Sequence, residues 1–194
     1  MISRRLALTA GALLAAGGLW LTASALLIPV KAAVAQFLLL RAWDTTLVGG
    51  EQVRPWPWAD TWPVARLRLP DQDADLIVLA GVSGQALAFG PGHVPGTANP
   101  GGGGISMIGG HRDTHLSVLS GIRPGHRVEV QRADGTVRRY LVVTTSVADA
   151  RQKWILPAGQ SGVVLVTCYP FDAVRPGGPL RFVVHAVEAG SDSV

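Results

Sequence analysis

The chain has 194 residues, a net charge of +4, 15% charged residues, 24 glycines and one cysteine. That length holds one domain with one sizeable core beyond an apolar N-terminal segment. The low charge and abundant glycine exclude a coiled coil or long-helix protein, and a single cysteine excludes an internal disulfide. The positive charges are scattered, with no basic run and no recognition helix, which argues against nucleic-acid binding.

Arg4 and Arg5 precede an uncharged apolar run over 6–30, closed by Lys31. A membrane span needs about 20 such residues. A cleavable signal peptide is the rival: its apolar core runs about 7–15 residues, and Ala23-Ser24-Ala25 has the small-x-small form of a cleavage site. The length favours an uncleaved transmembrane anchor over 1–31. With Arg4 and Arg5 in the cytoplasm, the rest of the chain lies on the outer side. Residues 32–62 read as a juxtamembrane helix (32–43) and a linker holding Trp56, Trp58 and Trp62 among prolines. Those tryptophans either anchor at the interface or cover the following domain, and the second reading is the plainer one.

From residue 63 to 190 the pattern changes to short apolar segments separated by turn residues, followed by a 191–194 tail. Strands are expected at 64–69, 75–79, 105–109, 127–132, 136–147, 162–168 and 180–187, with Asp134-Gly135 turning a hairpin. Short helices are expected at 83–89 and 114–120. Many short strands with few helices point to a sandwich or closed barrel, a mostly β fold.

The Gly-rich stretch PGTANPGGGGISMIGGHRDTHL lacks the Lys-Ser/Thr and the strand–loop–helix frame of a nucleotide loop, so its glycines serve tight turns and close backbone approach. His111 and His115 stand four apart, as helical metal ligands do. Gly109-Gly110 disfavours a helix there and no third ligand is spaced to join them, so no metal is assigned. His115 reads as a surface residue of a helix capped by Asp113. His93, His126 and His185 fall in turns or strands and carry no assigned role.

Cys168 ends the apolar stretch VVLVTC. By count alone it is either buried and inert or free and chemical. With His111 and Arg181 it makes a coherent set for acyl transfer. An imidazolium favours the thiolate and can protonate a leaving amine, while a fixed guanidinium can stabilise an oxyanion. Spacing does not show that the three meet.

The ordered segments IGGHRDTHLSVLSGIRPGHRVEV, LVTCYPF and PLRFVVHA, with PGTANPGGGG before the histidine, resemble the sortase family. GHRDT and TCYPF are close to the class D type, and the Trp-Pro-Trp linker resembles the Gram-negative branch. Val164 stands where sortases often carry threonine, and the segment between Val147 and Gly162, which helps choose substrate in the family, is short. The resemblance implies an eight-stranded β-barrel with short helices. It implies Cys168 as nucleophile, His111 as general acid and base, Arg181 as oxyanion or substrate anchor, and Thr167 in substrate contact. No cofactor or metal is implied. The implied partners are a secreted protein with a C-terminal sorting motif, an amine acceptor and the membrane. The alternatives are a cysteine endopeptidase on the same site, or a non-catalytic, membrane-tethered binding barrel whose thiol is buried away from His111.

Overall fold

The computed structural model describes residues 2–152, 160–175 and 177–189, apart from the side chains of residues 2, 3, 5–7, 23, 26 and 28. The chain forms two units, Met1–Phe37 and Leu38–Val194. Helix α1, Ile2–Leu47, is continuous through Pro29, so the short helix expected at 32–43 is part of a longer one. In the first unit α1 exposes Leu13, Leu14, Leu19, Trp20 and Leu21. Among the described residues, no helix is long and apolar enough to cross a membrane.

The second unit is a closed barrel. Its strands are β1 Pro63–Leu69, β2 Ala74–Ala80, β3 Gly92–His93, β4 Ile105–Gly110, β5 Arg127–Arg132, β6 Val137–Asp149, β7 Gly162–Cys168 and β8 Leu180–Glu188. Around the barrel they run β1-β2-β3-β4-β7-β8-β6-β5. β2–β3 and β4–β7 are parallel pairs and all other neighbours are antiparallel. Alternate residues face inward: Leu67 and Leu69 of β1, Val128 and Val130 of β5, Val163 and Leu165 of β7 and Val184 of β8 fill the core with Ile108, Tyr140, Leu116 and Leu119.

A second cluster lies on the outer side of β2, where Ile77 and Leu79 pack with Leu39 and Trp43 of α1 and Ala86 of helix α2, Gly84–Phe89. The side chain of Ser83 caps α2 by accepting from the Ala86 N–H at 3.1 Å. Trp56 packs edge-on against Phe89, ring centroids 4.8 Å apart, so this part of the linker covers the domain. Trp58 instead remains 81% exposed.

Three local expectations change. β3 is too short to announce itself by periodicity: it is two residues long, and Gly92 is required there because a Cβ would sit 2.0 Å from the Gly81 carbonyl oxygen. The helix expected at 114–120 is a run of turns followed by a 3-10 helix at Ser117–Gly121. Asp113 does not cap it, because its carboxylate accepts from Arg112 instead. The Asp134-Gly135 hairpin forms as expected, with Asp134 Oδ1 accepting from the Thr136 N–H at 2.9 Å. Of the segment between Val147 and Gly162, residues 153–159 lie outside the described residues, as do 190 and the 191–194 tail.

Candidate active site

The strand order that closes the barrel also gathers the chemistry. β4 and β7 are parallel neighbours with Gly110 opposite Thr167, so His111 and Cys168 each take the next position at the same end of the pair. β8 returns antiparallel on the other side of β7, with Arg181 opposite Cys168. Adjacent strands lie about 4.8 Å apart, so residues separated by 57 and 70 positions come to one edge of the sheet.

Parity separates Cys168 from Thr167. Thr167 shares the inward face of Val163 and Leu165, is 2% exposed, and donates its hydroxyl to the Gly110 carbonyl at 2.8 Å. It thereby ties the ends of β4 and β7 one residue before His111 and Cys168. Cys168 faces outward, a half-buried free thiol, and His111 is exposed. The register of β4 and β7 places the two at the same end of the strand pair. Gly110 itself admits no side chain, since a Cβ would meet Leu116 Cγ and Cδ1 at 2.9 Å. Arg181 is half-buried, and its Nη1 donates to the carbonyls of Gly178 at 2.7 Å and Leu180 at 2.8 Å. One nitrogen of the fork is thus anchored in the β7–β8 loop. A cysteine, a histidine and an arginine at one strand edge can form, hold and release an acyl group.

Residues 67–189 match the sortase domain family. Over 121 residues the chain is 27% identical to sortase D of Bacillus subtilis (strain 168), a match covering 61% of this chain and 60% of that relative's length. The fold is similar to that of a Clostridium perfringens Sortase D5 transpeptidase (TM-score 0.62, 18% identity, 81% of this chain and 99% of that one). It is also similar to that of Sortase A from Corynebacterium diphtheriae (TM-score 0.62, 23% identity, 84% and 86%). The chain belongs to the sortase family. Sortases are cysteine transpeptidases, and the class D likeness of the GHRDT and TCYPF motifs agrees with the Bacillus relative.

Around the three residues this sortase has features that sequence patterns did not disclose. Arg112, which reads as an ordinary charge beside the histidine, is only 7% exposed. Its Nη2 donates to the Ala173 carbonyl at 2.7 Å and to that of Arg175 at 3.4 Å, and its Nε to Asp113 Oδ1 at 3.1 Å. Asp149, at the end of β6, stands opposite Leu180, one pair along from Ala148 and Arg181. Its carboxyl is lowered to about 2, chiefly by hydrogen bonds from Arg151, with a smaller contribution from the charge of Arg181. Burial pushes the His115 imidazole down, and the like charge of His111 adds to that. Tyr169 stacks on Phe182, and Phe171 packs edge-on against both, with centroids 5.2–6.3 Å apart.

The other histidines are placed elsewhere. His93 Nε2 meets the Ala98 carbonyl, and His126 Nδ1 meets Gln72. His185 lies opposite Val164 near the far end of β7, in an apolar groove of about 330 Å³ with Val143 and Val187, and burial lowers its pKa. Among the described residues, no group of three or more His, Cys, Asp or Glu could hold a metal ion.

Proposed function

We propose that this sortase cleaves a C-terminal sorting motif of a secreted protein through a thioester on Cys168 and transfers the acyl group to an amine. The observation that carries the reading is the register of β4, β7 and β8, which puts His111, Cys168 and Arg181 at one edge. The Cys168 thiolate attacks the scissile carbonyl carbon, and its oxygen becomes an oxyanion facing the Arg181 guanidinium. The intermediate collapses, the C–N bond breaks, and the His111 imidazolium gives its proton to the departing amine. The neutral imidazole then takes a proton from the incoming amine as that amine attacks the thioester. Release of the thiolate restores the starting ion pair. Arg181 stabilises the oxyanion twice, from a backbone held rigidly by strand pairing. Thr167 supports both steps from below, its hydroxyl tying the two strand ends together.

The same reading makes residues 1–31 a single-pass anchor in the cytoplasmic membrane, with the catalytic domain on the outer side. It is supported by the apolar run over 6–30 and by the exposure of Leu13, Leu14, Leu19 and Trp20 on α1. A substrate held in the same membrane would meet the enzyme at raised effective concentration. The Trp-Pro-Trp linker supports placement in the Gram-negative branch.

The test is incubation of the full chain with sorting-motif peptides, with and without an amine. Mass spectrometry should find an acyl adduct on Cys168 that the amine converts to an amide. Hydrolysis at every amine concentration would identify an endopeptidase, and an unreactive Cys168 would identify a binding barrel. Protease added to spheroplasts should digest the domain; full protection, or a mature N-terminus after Ala25 or Ala35, would overturn the anchor.

A further inference from the structure

We propose that Arg112 is a positioning residue that sets where Arg181 stands relative to Cys168, acting through the loop between β7 and β8. The inference rests on the Cys168–His111–Arg181 reading above.

A buried guanidinium is stable only with its donors satisfied, because desolvation of the charge costs several kcal/mol. Asp113 supplies one partner, but it is 74% exposed, so solvent screens that ion pair. The loop carbonyls of Ala173 and Arg175 supply the others. Among the described residues, the middle of the loop is largely exposed. Val174 is 97% exposed, Asp172, Arg175 and Gly177 are exposed, and the backbone bond from Ala173 to the Pro170 carbonyl is long at 3.4 Å. The end of the same loop carries the Gly178 carbonyl, which with that of Leu180 at the start of β8 accepts from Arg181 Nη1. Arg112 thus holds Ala173 and Arg175 of the same loop whose Gly178 carbonyl accepts from Arg181. It joins the strand end that carries the acid and base to the group that faces the oxyanion. Lysine cannot replace Arg112 here, because a point charge on a flexible stem lacks the rigid fork that reaches Asp113 and the loop together.

The experiment uses the full chain in detergent, with Arg112→Lys and the volume-retaining Arg112→Met. Amide hydrogen exchange over 172–178, read without substrate, should quicken at least tenfold while strands β4 and β7 keep wild-type protection. Acylation of Cys168 by a sorting-motif peptide should slow by about 10–100-fold, the scale on which a displacement of about 1 Å acts. The loss should fall on the acylation rate rather than on KM. In an Arg181→Ala background the Arg112→Lys cost should shrink to within about twofold, because residues acting through one another are not additive. Unchanged loop exchange in Arg112→Lys, or a full and additive cost in the Arg181→Ala background, would overturn the proposal. If Arg112→Met does not fold, Arg112→Lys carries the same measurements. If wild-type protein forms no adduct on Cys168, the catalytic reading fails, while the exchange experiment still reports the clamp.

Discussion

Cys168 and Arg181 are register partners across the antiparallel β7–β8 pair, so strand pairing fixes their backbone positions. The geometry that brings their two backbone positions together is thus a property of the sheet. Substitution of either side chain is expected to leave the fold intact. Cys168→Ala should abolish adduct formation, since no other thiol exists. Arg181→Ala should cost about 10²-fold or more in kcat, as loss of an oxyanion donor does, and Arg181→Lys should recover only part. Both are read by single-turnover acylation beside a thermal melt. Near-full activity of Arg181→Ala would remove Arg181 from the mechanism.

His111 should contribute at least the roughly 10²-fold typical of general acid–base catalysis. Its replacement by alanine should slow transfer to the amine as well as acylation, because the same imidazole serves both. Pre-steady-state kinetics that show a loss in only one half-reaction would assign the other proton transfer elsewhere.

Thr167→Val removes the hydroxyl that donates to the Gly110 carbonyl inside the barrel. Loss of that bond in a buried setting should cost about 1–3 kcal/mol of stability, measured by denaturant unfolding, together with a fall in acylation rate. A valine variant with wild-type stability and rate would show that the tie between the strand ends is dispensable.

Gly92→Ala tests the shortest strand. The new methyl would meet the Gly81 carbonyl oxygen, which is backbone and cannot swing aside. A cost of about 1–3 kcal/mol is expected from overpacking, seen as a lower unfolding midpoint. An unshifted midpoint would mean that β2 and β3 separate without penalty.

His115 and His185 both have pKa values lowered by burial, His115 also by the charge of His111. Each binds a proton less readily folded than unfolded. Their contribution is therefore fully present above the unfolded value of about 6.5 and is lost as pH falls through it toward the folded value. Stability should decline as pH falls below about 6.5, and His185→Gln should flatten that decline. A variant with the wild-type pH profile of the melting temperature would exclude His185 as a contributor.

Much of this architecture was legible in the order of residues. β5 and β7 have the bounds their apolar patterns implied, the Asp134-Gly135 hairpin turns where its residues demand it, and the Gly-His, Thr-Cys and Leu-Arg segments declared the family. These signals are local: alternation, turn chemistry and short motifs are written within a few residues of one another. The two-residue strand β3 fell below that threshold. The 114–120 helix was misread because turn and 3-10 backbone there satisfy the same apolar contacts of Leu116 and Leu119. What tertiary structure alone decided is the meeting of distant residues. A parallel β4–β7 pair and an antiparallel β7–β8 pair bring His111, Cys168 and Arg181 to one edge, and no spacing along the chain encodes that register. Tertiary structure also decided that Arg112, one polar residue in a polar stretch, is buried. Its burial depends on carbonyls 61 and 63 residues away that only the closed barrel places within reach.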